Sequence, residues 1–435
     1  MVTPVSRAGR LLRNPVVQAT VANLTSVGLG TVSGVLVARG LGPEGRGHWA
    51  AVMAFFTVAL VLGEIGQSGA VTFFVSRDPG GRRRIVRTAR LLMTGGGLIV
   101  AIAGFLATPT LSSGDAALET AYRLAFVGCL VNSLCAASLF ALQARSIRRW
   151  NVARVAQPFF YASGILVLLV TATMDIVTVS LVLIVSTSLQ FVVLAGLTRS
   201  SRHEPESAPP EAGTLRPLAR YGLAYSAAAV PTSLAGQYDK IVLSRLVSPA
   251  DLGLYAVGTT VSQLVAPFAT AISSVVFPRA SKSDLQSDER RRVEIRTLST
   301  TFVVSVVVSL GIALIAPVLV PLLFGADFRD AVPVVWALAT VMVARAMSQV
   351  AGALVRARNA PGAAAAAQVA GLVVGLVLMF PVVAALGVLG AAVALGIGEA
   401  VTLVIVTAAV VRLQSRDRRP RLDVAAPDPR ESRTP

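Results

Sequence analysis

The feature that most constrains this chain is a series of long apolar runs, each near or above the roughly 20 residues that an α-helix needs to cross a bilayer. Twelve are set apart by polar breaks: 15–38, 48–76, 88–108, 119–144, 155–174, 176–198, 221–246, 251–278, 297–323, 328–354, 361–384 and 387–411. They are too long for strands and lack period-two alternation. With 54% hydrophobic and only 14% charged residues among 435, the chain carries more apolar surface than one soluble core can hide. The fold class expected is all-α, a polytopic membrane protein of twelve transmembrane helices. The first run follows Arg7, Arg10 and Arg13, as the apolar part of a signal peptide would. It is longer than such a part and lacks a convincing small-residue cleavage site, so it reads as an uncleaved helix.

The net charge of +17 would suggest nucleic acid in a soluble protein, but here the basic residues lie between apolar runs and report orientation instead. The N-terminal tail and every second connection (77–90, 145–154, 199–220, 279–296, 355–360, 412–435) hold 32 of the 39 Lys and Arg residues. By the positive-inside rule this asymmetry places both termini in the cytoplasm of a multi-pass protein of the cell (inner) membrane. The most polar internal stretch, 199–220, divides the spans six and six. The expected organisation is a cytoplasmic tail (1–14), a six-helix lobe (15–198), a cytoplasmic linker (199–220), a second six-helix lobe (221–411) and a Pro-rich, charged, disordered tail (412–435). Sliding the second half by 206 positions sets Arg39 on Arg245, Pro43 on Pro249, Gly47 on Gly253 and Trp49 on Tyr255. Two halves with equal span number and the same orientation form a parallel repeat, which places a substrate site between the lobes.

The stretches LVARGLGPEGRGHWAAVMAF, GEIGQSGAVTFFVSR and QYDKIVLSRLVSPADLGLYAVGTTVSQLVAPFATAISSVVFPRAS resemble bacterial polysaccharide exporters, the Wzx-type flippases of lipid-linked oligosaccharides. Their superfamily also holds the multidrug MATE exporters and the lipid II flippase. The resemblance covers residues 10–411 and rests on hydrophobic layout and two glycine-rich loops. It implies a MATE-like, V-shaped, two-lobed transporter that alternates between inward-open and outward-open states. It also implies a lipid-linked oligosaccharide substrate, contact with membrane lipid, a possible H+ or Na+ coupling ion, and a polysaccharide polymerase and glycosyltransferases as partners.

A charge at the bilayer centre costs about 2.5–3.5 kcal/mol on insertion scales, so ionisable residues within spans are functional candidates. At 1.5 Å per residue, Glu64 lies about 20 Å above Arg77, Glu399 about 20 Å above Arg412 and Arg345 about 16 Å above Arg356, all near the midplane. Arg345 reads either as a pyrophosphate contact, since its fork matches phosphate oxygens, or as one half of a salt bridge to an acid such as Glu399. Glu64, among Gly63, Gly66 and Gly69, and Glu399 are the candidate ion-coupling carboxylates. Asp239 and Lys240 belong to the most polar run inside any span, and neighbours on a helix point about 100° apart, so one can face a cavity while the other meets a second helix. Arg39 and Arg245 join the substrate-binding candidates, although both fall near outer helix ends where an arginine can snorkel to the headgroups. Pro231 and Pro267 are candidate hinges.

No metal or cofactor site is expected. Cys129 and Cys135 share one apolar run, and the only histidines are His48 and His203. No G-x-x-x-x-G-K-[ST] loop is present, which excludes a built-in P-loop ATPase. The longest outer connection is about ten residues, too small for the acceptor domain of a membrane polymerase or glycosyltransferase. The first reading is therefore a flippase and not an enzyme. The alternatives are a cation-coupled drug exporter, which would favour an acid-lined cavity, and, third, a membrane glycosyl-transfer enzyme.

Overall fold

The computed structural model describes residues 15–199, 214–267, 287–358 and 360–417. Thirteen α-helices and two 3-10 turns account for almost all of them. The first half holds α1 (Pro15–Glu64), α2 (Gln67–Arg77), α3 (Arg82–Ser112), α4 (Ala116–Arg145), α5 (Ile147–Val170) and α6 (Ile176–Thr198). The second holds α7 (Leu215–Ala235), α8 (Tyr238–Leu246), α9 (Pro249–Ser262), α10 (Ser287–Phe324), α11 (Val332–Ala357), α12 (Pro361–Leu386) and α13 (Val388–Asp417). Nine helices among the described residues are long and apolar enough to cross a bilayer. The 50 residues of α1 are enough for two crossings, and α7 with α8, and α9, occupy the two remaining sequence runs, which accords with twelve spans. The chain is a multi-pass membrane protein. Residues 1–14, 200–213, 268–286, 359 and 418–435, which include the expected N-terminal tail and much of the expected linker and C-terminal tail, lie outside the described residues.

Three local features depart from the sequence reading. Residues 39–47, read as a connection, are helical except at Gly42, whose φ of 67° and ψ of −176° turn the chain without a loop. Pro43 then starts a new helical turn, where its missing N–H costs nothing. The second span breaks at Ile65 and Gly66, with φ of 47° and 64°, dividing α1 from α2. The seventh span breaks at Gly236 and Gln237, between α7 and α8. Pro231, one of the two expected hinges with Pro267, lies inside α7, five residues before that break.

The two halves meet through paired glycines. A Cβ on Gly47 would lie 1.7 Å from the Pro249 carbonyl oxygen, and a Cβ on Gly253 would lie 1.9 Å from that of Pro43. The contact is reciprocal, and it crosses α1 with α9 at the end away from the basic connections. A second crossing joins Gly66 to the Gly222 carbonyl oxygen of α7, where a Cβ would come within 2.1 Å. Residues of both halves share one core that includes Trp49, Tyr122, Tyr238, Tyr255 and Leu338.

Candidate functional site

Beneath the Gly47–Gly253 crossing, helices of both halves stand apart around a chamber. Its larger part, about 1060 Å³, is walled by α1 from Ala19 to Thr31, the start of α5, the α7–α8 break, the residues following α9, and α11. Its smaller part, about 400 Å³, continues toward the crossing and shares Gly30, Gln237, Thr260 and Gln263 with the first. Before the Gly42 turn, lining residues on α1 run from Ala19 to Val37, about 27 Å at the helical rise. That is nearly the depth of the hydrocarbon core.

Four charged side chains line the two parts: Arg154 and Arg345 in the larger, Lys240 and Arg46 in the smaller. Among the described lining residues none is Asp or Glu. Arg345 sits on the face of α11 that also presents Met342, Ala346 and Gln349. Its Nε lies 3.6 Å from Oε1 of Glu399 on α13, so Arg345 is paired with the acid that the sequence offered and also lines the larger part of the chamber. Glu399 stays behind it, off the lining. The Asp239–Lys240 pair divides as neighbours on a helix should. Asp239 is buried and accepts a hydrogen bond from the Tyr255 hydroxyl at 2.9 Å, while Lys240 turns to the chamber with Nζ 3.6 Å from Oδ1 of Asp239. The break before α8 brings Gly236 and Gln237 to the wall, so the positive end of the α8 dipole adds to the same sign of potential.

Two cations of the wall were not among the sequence candidates. Arg46 is buried, donates from Nη2 to Thr260 Oγ1 at 3.3 Å and lines the narrow end with Trp49 and Tyr161, whose rings stack at 6.4 Å. Arg154 donates to Asn23 Oδ1 at 3.2 Å and to the Ala19 carbonyl at 3.1 Å, and lies 4.4 Å over the Trp150 ring.

The other candidates lie elsewhere. Arg39 is exposed and donates from Nε to the Leu323 carbonyl at 2.6 Å and from Nη2 to that of Leu322. It thus satisfies the last carbonyls of α10, groups that a helix cannot bond internally. Arg245 is exposed in the last turn of α8 and lines neither part of the chamber. Glu64 is half-buried at the end of α1, hydrogen-bonded with Ser68, and also off the lining. The glycines around it do let backbones approach: a Cβ on Gly63 would touch Gly97 Cα of α3 at 3.2 Å.

Residues 36–333 match a family described as polysaccharide biosynthesis protein. A probable low-salt glycan biosynthesis flippase, Agl15 of Haloferax volcanii, is 26% identical over 187 residues. That match covers 42% of this chain and spans only 40% of the length of that relative. Among solved structures, an inward-facing MATE-family multidrug resistance transporter of the MOP superfamily superposes with a TM-score of 0.72 at 16% identity, covering 93% of this chain and 98% of the other. The lipid II flippase MurJ, in an inward closed conformation, superposes with a TM-score of 0.74 at 14% identity, covering 92% and 89%. The expected MATE-like fold is therefore the fold observed.

Proposed function

We propose, from the premise that this chain belongs to the polysaccharide biosynthesis protein family, that it flips a polyprenyl-pyrophosphate-linked oligosaccharide from the cytoplasmic to the outer leaflet by alternating access. The observation that carries this reading is the chamber wall, on which four cations and no carboxylate are found among the described lining residues. Such a wall attracts a pyrophosphate and repels the cationic substrates of a drug exporter. The matched relative, a probable glycan biosynthesis flippase, and the lipid II flippase that shares the fold point the same way. In this reading the prenyl chain stays in lipid while sugar and pyrophosphate travel past Arg154, Arg345, Lys240 and Arg46. The basic ends of the helices face the cytoplasm, as do both termini. The two six-helix halves are the moving units, and a polymerase and glycosyltransferases act on either side of the step.

Glu399 gives the cycle its coupling point. A proton or Na+ taken by its carboxylate would release Arg345 to the pyrophosphate, and return of the carboxylate would compete the substrate off. Glu64, beside the break in the second span, is the second coupling candidate.

Depletion of the protein is expected to leave lipid-linked oligosaccharide on the inner leaflet, read with a membrane-impermeant lectin or glycosidase. In proteoliposomes Arg345→Ala should slow flipping roughly tenfold, the worth of one charge-assisted hydrogen bond. Glu399→Gln should retain substrate binding but lose its response to an imposed ion gradient. An unchanged leaflet distribution on depletion, or full transport by the Arg345 variant with neutral and anionic head groups alike, would sink the reading.

A further inference from the structure

Helix α5 has two lining faces. One, through Ile147, Trp150 and Arg154, belongs to the chamber. The other, a stripe at positions 148, 151, 152, 155, 156, 159 and 160, lines a separate groove of about 540 Å³ against the Val17–Ala22 turn of α1. This spacing is the i, i+3, i+4 pattern of one helical side. The groove is apolar along most of its length, and Val21, Val152 and Phe159 are more than half exposed on its surface. Its polar groups gather at the basic end, where Arg148 is exposed and Asn151, 7% exposed, has neither amide atom hydrogen-bonded. Chamber and groove are kept apart by the bonds of Arg154 to Asn23 and to the Ala19 carbonyl.

We infer that this groove is a binding site for an anionic phospholipid of the leaflet on the basic side. From Arg148 to Phe160 the stripe rises about 18 Å, close to the ~15 Å of hydrocarbon in one leaflet. An acyl chain fills that length with the lipid's phosphate level with Arg148, and the Asn151 amide N–H can donate to a phosphate or glycerol-ester oxygen. A charged head and a leaflet-length chain are met by one cation and a leaflet-length apolar wall. The substrate's own prenyl chain fits less well, because the Arg154 bonds close the seam that it would have to cross to reach a head group in the chamber. The occupant seals the α1–α5 seam from the lipid side, and the site stands whether or not the chamber carries a glycan.

The test is native mass spectrometry of the full chain in detergent, titrated separately with phosphatidylglycerol, phosphatidylcholine and undecaprenyl phosphate. Phosphatidylglycerol is expected to be retained about fivefold more than phosphatidylcholine, and Arg148→Glu should remove that preference. Val152→Trp, which fills the exposed groove without touching the core, should displace both phospholipids. Arg87→Glu, at the basic end of α3, should change nothing. Equal retention of the two phospholipids, an Arg148→Glu variant that behaves as the parent, or no displacement by Val152→Trp would overturn the proposal. Preferential, Arg148-dependent retention of undecaprenyl phosphate would overturn it too, by assigning the groove to the carrier.

Discussion

Replacing Gly47 by leucine is expected to reduce transport to background and to trap the protein with the chamber open on the side away from the basic connections. The cause is a backbone clash. Even a Cβ at this position lies 1.7 Å from the Pro249 carbonyl oxygen and 2.9 Å from the Gly253 nitrogen, and no rotamer change can move backbone atoms aside. The α1–α9 crossing can accept a side chain only by separating, and that crossing is the roof of the chamber. The same change at Gly253, whose Cβ meets the Pro43 carbonyl, should give the same phenotype. Combining them should add little, because both act on one contact. Gln237→Cys, placed on the chamber wall, reports the state through a membrane-impermeant maleimide. The native Cys129 and Cys135 are buried and give low background. In the parent the label should enter from the basic side, and in Gly47→Leu from the opposite side. Normal transport with labelling from the basic side alone would show that the crossing is not a gate.

The positions of that contact were legible in the sequence, since the 206-residue offset pairs Pro43 with Pro249 and Gly47 with Gly253. The spans were legible as well, because twenty apolar residues without charge have few other uses. The helix breaks were not. With 36 glycines in the chain, nothing local distinguishes Gly66, which takes a φ of 64°, from glycines such as Gly63 that stay helical and only allow close packing. Arg46 was missed for a related reason. The run GLGPEGRG has the composition of a turn, which put Arg46 in a connection. In the fold Gly42 alone absorbs the change of direction, and helix continues from Pro43 through Arg46. Arg154 was counted with the basic side, although its guanidinium reaches back to α1 at the chamber rim. Depth estimates singled out Arg345, Glu64 and Glu399 because midplane charge is costly wherever it sits, whereas Lys240 stood out only by the polarity of its run. They could not separate Glu399, behind the wall, from a residue on it, since a rise along a helix carries no information about azimuth.

Removal of the Glu294 carboxylate should have the largest effect on stability of any single change at the basic end, about 3–5 kcal/mol for Glu294→Ala. Glu294 on α10 accepts from Arg358 Nε at 2.7 Å and Nη2 at 3.0 Å, and from Gln414 Nε2 on α13 at 2.7 Å. The side chains of Arg358 and Glu294 are only 5% and 1% exposed. Water therefore cannot replace the lost partner, and the guanidinium would keep its charge at a site that excludes solvent. A buried pair need not add net stability over an apolar one, so Glu294→Met combined with Arg358→Met should be far less damaging than Glu294→Ala. Denaturant or thermal unfolding in detergent, run as a double-mutant cycle, gives the coupling. The cluster ties α10, the end of α11 and α13 together at the basic end, yet it lies off the chamber lining. Its loss should thus lower folded yield while leaving flipping per folded molecule nearly intact. A single-mutant cost below about 1 kcal/mol would mean that this site is hydrated like a surface ion pair. A selective loss of flipping at parental stability would instead make the cluster part of the transport cycle.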